Sequence, residues 1–156
     1  MVDRTTVVDR TTVIPSPPDV VFAAVNSPET APLIDPAVRE WRPDTEPIGV
    51  GTRFTIRGRL GVLPIRGTSE TVRWEPPLLA EYRSVATWPA RMTAQHRFEP
   101  RADGGTNYTW SLSFHEVSIV GRPLVALAAR LFARALANQA DALTRYLRDM
   151  PPPPKD

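Results

Sequence analysis

The chain has 156 residues, enough for one domain with a sizeable buried core, and 42% of them are apolar. It has no cysteine, which excludes disulfide frameworks, thiolate metal sites and cysteine nucleophiles. Net charge is +2 and the arginines form no run, so the charge does not point to nucleic acid, and no apolar stretch is long enough to span a bilayer.

Met1-Val2-Asp3-Arg4 lacks the basic-then-apolar layout of a secretory signal, which predicts a cytoplasmic protein. Thr5–Ile14, rich in valine and threonine, reads as a strand. Ser16 is the expected N-cap of a helix over Pro18–Val25, with prolines tolerated in its first turn. A second helical turn is expected over Pro28–Leu33, ended by Pro36. Val38–Arg42 begins another strand, and Gly49-Val50-Gly51 is a turn.

Thr52–Leu60 alternates Phe54, Ile56, Gly58 and Leu60 against Arg53, Thr55, Arg57 and Arg59, with Gly58 marking a bulge or bend. Pro64–Trp74 follows, and placing Val72 and Trp74 inward by parity also turns Arg66, Thr68 and Glu70 inward. Pro76-Pro77 breaks the chain before Leu78–Trp88, a strand with Tyr82, Ser84 and Ala86 on one face. Ala90–Phe98 and Thr106–Glu116 alternate strictly and are joined through Asp103-Gly104-Gly105, a hairpin turn. Their inward sets are Met92, Ala94, His96, Phe98 and Tyr108, Trp110, Leu112, Phe114.

An alanine-rich helix over Ile119–Arg148 is then expected to cover the dry face of the sheet, through Leu124, Leu127, Ala128, Leu131, Ala135, Ala142 and Tyr146. Pro151–Pro154 ends it, which divides the chain into a domain over residues 1–150 and a proline-rich tail over 151–156. The fold class is therefore α+β: one strand, two short helices, about six antiparallel strands and a long C-terminal helix.

Four segments in this order resemble the START-like, or helix-grip, superfamily, and within it the polyketide cyclase/dehydrase and lipid-transport group. They are Thr12–Phe22 running from strand to helix, Gly49–Phe54, Trp74-Glu75-Pro76-Pro77, and Gly104-Gly105-Thr106 with Trp110. The resemblance covers Thr5 to Leu147. It implies a seven-stranded curved sheet gripping the C-terminal helix around an elongated apolar cavity. Ordinary ligand cavities measure about 300–1,000 Å³.

His96, on the dry face, is a candidate general base or ligand-orienting donor, and equally a core histidine bonded to a neighbouring hydroxyl. Glu70, if inward, is a candidate acid or base, or else a structural partner of Arg66, and a parity slip at the bend near Gly67 is the other reading. Tyr82 is the third candidate catalytic group. Phe22, Phe54, Ile56, Trp74, Tyr82, Met92, His96, Tyr108, Trp110, Leu131 and Ala135 are the candidate ligand-binding residues, though alternating aromatics are also what a sheet-on-helix core requires. Two histidines of opposite parity predict no metal site, Gly49–Gly51 lacks a nucleotide fingerprint, and no cofactor is implied.

The leading reading is a carrier or sequestering module for a hydrophobic small molecule such as a lipid, an isoprenoid or a polyketide-like compound, with no integral membrane association. An aromatase/cyclase-type enzyme is the alternative. A third reading is a protein-interaction module that uses the outward arginines Arg53, Arg57 and Arg59.

Overall fold

A computed structural model describes residues 6–35, 37–86, 91–115, 117 and 119–150. The order is β1 (Thr6–Ile14), α1 (Pro18–Val25), α2 (Ala31–Ile34), β2 (Val38–Pro43), β3 (Arg53–Leu60), β4 (Leu63–Glu75), β5 (Leu79–Ala86), β6 (Arg91–Pro100), β7 (Thr106–His115) and α3 (Arg122–Asp149). The strands form one antiparallel sheet in the order β1-β7-β6-β5-β4-β3-β2. This is the helix-grip architecture: successive hairpins build the sheet from β2 to β7, and β1 pairs with β7 at the far edge. Trp88, Ala90 and Glu116, expected at strand ends, and the tail over residues 151–156 lie outside the described residues.

Period-two alternation puts Tyr108, Trp110, Leu112 and Phe114 of β7 inside, beside Ile14 of β1 and Phe98 of β6. The main core joins these strands to α1 and to the C-terminal half of α3. Phe22 of α1 meets Trp74 and Phe98 edge-on, with ring centroids 5.0 and 5.2 Å apart. Gly104 carries the turn before β7 at a φ of +84°, a conformation open to glycine without a Cβ penalty.

Three local expectations are corrected. Pro17, not Ser16, caps α1, and no side chain takes part; the Pro17 carbonyl instead accepts from the Val20 and Val21 amides. The Ser16 carbonyl accepts from the Thr106 hydroxyl at 2.7 Å, which ties the start of α1 to β7. The second helix forms over Ala31–Ile34 rather than Pro28–Leu33, because the chain first turns on the Ser27 carbonyl, which accepts from Thr30 and Ala31.

The inner face of α3 is rotated from the expected one. Val125, Ala128, Ala135, Leu136, Gln139, Ala140 and Leu143 are buried, whereas Leu124 and Leu127 are 37% and 48% exposed. Alanines on every side of this helix weaken the contrast between faces, so the bulky side chains that fit the sheet decide its rotation.

Two irregularities shape the sheet. In β2 the register shifts between Val38 and Glu40, opposite Gly58 of β3, and the Ala37 carbonyl turns in to accept the Arg59 amide at 2.9 Å. Gly58 therefore sits at a bulge, as its place inside an alternating strand predicts. In β4 the register against β5 shifts between Thr71 and Arg73. An extra residue there exchanges the faces, so Ser69 and Thr71 are buried before the bulge and Trp74 packs on the core after it.

Candidate functional site

The β4 bulge overturns one sequence-based placement. Arg66, Thr68 and Glu70 lie on the outer, exposed face, because parity counted back from Trp74 is inverted across Val72. Glu70 is thus no cavity acid or base. Glu70→Gln is expected to leave the affinity of any cavity ligand unchanged within twofold or so, as titration calorimetry would show. A larger loss would place Glu70 at the site after all.

The inner face bounds a partly open cavity of about 120 Å³ between the sheet, α1, α2 and α3. This is smaller than the ordinary ligand sites expected from the resemblance. Ile56 of β3, Tyr82 of β5, His96 of β6 and Trp110 of β7 line it, and all four are among the predicted ligand-binding residues. The other seven lie off its walls. Phe22 and Trp74 pack together under α1, and Phe54 stacks on Trp41 with centroids 4.2 Å apart. Tyr108 stands behind His96. Met92 joins a separate cluster with Leu112 and Phe114, while Leu131 and Ala135 pack near Ala37.

The polar groups of the site form two sets. Tyr82 donates its hydroxyl hydrogen to Asn26 Oδ1 at 2.6 Å, and Asn26 Nδ2 donates to the Phe22 carbonyl at 2.9 Å, which fixes the Tyr82 ring against α1. His96 Nδ1 lies 2.8 Å from the Tyr108 hydroxyl, with the Gln139 side-chain amide on the other side of that oxygen. With the Tyr108 hydroxyl donating to Nδ1, the imidazole proton sits on Nε2; the opposite tautomer donates from Nδ1 to that oxygen. Burial pushes the His96 pKa down to about 3, so the ring is neutral at physiological pH. A group so weakly basic is suited to donating a hydrogen bond and unsuited to accepting a proton. Burial likewise holds both tyrosine hydroxyls above their ordinary pKa.

Three further polar residues of the walls, Asp35, Ser69 and Gln139, were missed from sequence. Asp35 closes α2 and is 8% exposed; its Oδ1 accepts from the Ala37 amide at 2.9 Å. Burial raises its pKa from 3.8 to about 6, against the opposing pull of that amide. Ser69 Oγ and Trp110 Nε1, like Thr71 Oγ1, are buried with no hydrogen-bond partner among the described residues. Trp41, also overlooked, supplies a flat wall. The sequence holds one signal for Asp35: a lone carboxylate before proline, between the apolar pairs Leu33-Ile34 and Ala37-Val38. For Ser69 there is none without the bulge.

Arg53, Arg57 and Arg59 lie exposed on the outer face, away from the cavity, and Arg57 reaches Glu40 at 3.8 Å. An exposed pair of this kind contributes little to stability. Among the described residues no cluster of three metal-ligating side chains occurs, and no helix is long and apolar enough to cross a membrane.

A curved sheet gripping a long helix, with a polar-studded aromatic cavity between them, defines a helix-grip ligand-binding module. The chain belongs to the polyketide cyclase / dehydrase and lipid transport family, whose model matches residues 5–148. A search of curated proteins found no match. Among solved structures, norcoclaurine synthase from Thalictrum flavum is 14% identical with a TM-score of 0.74, over 95% of this chain and 89% of that one. The protein TTHA0849 from Thermus thermophilus is 18% identical with a TM-score of 0.75, over 93% and 100%. The Zhui aromatase/cyclase from Streptomyces sp. R1128 is 16% identical with a TM-score of 0.71, over 94% and 98%. At these identities the likeness is one of fold.

Proposed function

We propose that this protein binds a small hydrophobic molecule in the cavity between sheet and α3, as a carrier or sequestering module. The observation that carries the reading is the pair of orphaned polar atoms, Trp110 Nε1 and Ser69 Oγ, on residues of an otherwise largely apolar and aromatic wall. Leaving a buried donor unpaired costs about 1–3 kcal/mol, so a ligand that satisfies it gains over one that does not. The apolar wall supplies affinity and these atoms supply orientation. Family membership supports the same reading. The enzyme reading loses two of its three catalytic candidates, because Glu70 faces outward and His96 is too weak a base.

A thermal-shift panel of single-ring aromatics, short lipids, isoprenoids and polyketide-like compounds tests this. A specific ligand at one hundred times its dissociation constant adds about 2.7 kcal/mol of stability. Trp110→Phe keeps the aromatic wall and removes the N–H, so an acceptor-bearing ligand should lose about tenfold in affinity by calorimetry. Unchanged affinity in that variant for every hit would remove Trp110 from the site, and a panel without hits would defeat the reading itself.

A further inference from the structure

Asp35 is a carboxylate on the cavity wall without a counter-charge. Its Oδ1 takes the Ala37 amide, and among the described residues no other group bonds the carboxylate. Among the described residues no arginine lines the cavity, and the sequence's only lysine is Lys155. The titratable groups lining this space beside Asp35 are Tyr82 of β5 and His96 of β6, with Tyr108 of β7 behind His96, all uncharged near neutrality, while α3 contributes the neutral Gln139. A buried ion is ordinarily paired, so an ionised Asp35 is the strongest electrostatic feature inside the fold.

Size narrows the ligand. The cavity, about 120 Å³, is close to the roughly 150 Å³ of an engineered cavity that holds benzene. The rings of Trp41, Tyr82, His96 and Trp110 line this space and give it a largely aromatic wall suited to a single-ring guest. Trp110 Nε1 is a donor still without an acceptor.

We propose that the cavity takes a single-ring arylalkylamine as its ammonium ion, with that ammonium paired to Asp35. This assignment rests on the binding-module reading and names its ligand class. The pair forms only while the carboxyl is ionised, so affinity falls as pH drops below about 6.

Benzylamine, benzyl alcohol and toluene, titrated by calorimetry at about pH 8 and about pH 5, form the test. Benzylamine should bind at least about tenfold more tightly than benzyl alcohol at the higher pH and lose about tenfold at the lower. Asp35→Asn keeps the oxygen that accepts from Ala37 and should erase the amine's advantage. If that variant unfolds, the wild-type carbon-13 carboxyl titration decides instead, since saturating benzylamine must lower the apparent pKa of Asp35. Toluene and benzyl alcohol binding as well as benzylamine overturns the amine assignment and leaves the binding module standing. Failure of all three together with the whole thermal-shift panel overturns both.

Discussion

The unfolding free energy of the wild-type protein is expected to stay nearly level between about pH 4 and 6, while that of Asp35→Asn falls by about 3 kcal/mol over the same interval. Two buried groups with opposite linkage produce this. Burial raises the Asp35 pKa from 3.8 to about 6, so its folded form prefers the proton. Its contribution is fully present below 3.8 and is lost as pH rises through 6, about 3 kcal/mol in all. Burial lowers His96 from 6.5 to about 3, so its folded form rejects the proton. That contribution is fully present above 6.5 and is lost as pH falls towards 3, at about 1.4 kcal/mol per unit. Where the windows overlap, the slopes cancel.

Asp35→Asn uncovers the His96 slope, and it should also raise stability near pH 8 relative to its effect in acid. His96→Gln uncovers the Asp35 slope, with stability rising on acidification. Urea unfolding of the three proteins at half-unit pH steps is the measurement. Parallel profiles for the wild type and Asp35→Asn would mean that the carboxyl is not held in the low-dielectric wall described above.

Gly58→Ala is expected to destabilise the fold by about 3 kcal/mol, at the upper end of ordinary overpacking. A Cβ at this position would land on the Ala37 carbonyl oxygen and press on Val38 Cα at 3.2 Å. Both obstacles are backbone, so no rotamer change relieves them. The carbonyl cannot withdraw without giving up the Arg59 amide that it accepts at 2.9 Å, and that bond closes the β2 bulge. The same turn carries Asp35 and Val38 to the cavity wall, so ligand affinity should fall along with stability. Gly49→Ala is the control, because a Cβ there meets nothing within 4 Å. Thermal unfolding of the two variants separates them: Gly58→Ala within about 0.5 kcal/mol of Gly49→Ala would show that β2 can shift without cost.

How much of this was legible beforehand differs from element to element. The seven strands, the α1 helix and the hairpin at Gly104 follow from alternation, proline punctuation and turn residues, which are properties of neighbouring positions. The inward set of β6 and β7 needed nothing more, which is why His96 and Trp110 could be named as wall residues. A helix made largely of alanine offered no such contrast, so Gln139 was overlooked and Leu124 and Leu127 were turned inward.

Local pattern was thus sufficient for the helix-grip order of elements and for the aromatic character of the inner face of β6 and β7, because periodicity and residue chemistry belong to neighbouring positions. The choice of which acid faces the cavity fell to long-range packing. One extra residue at the β4 bulge turns Glu70 out and Ser69 in, and the Ala37 amide, donating to Oδ1, holds Asp35 in the buried wall after α2. Pairing register and burial are set by contacts between residues far apart in the chain, so no local pattern carries them.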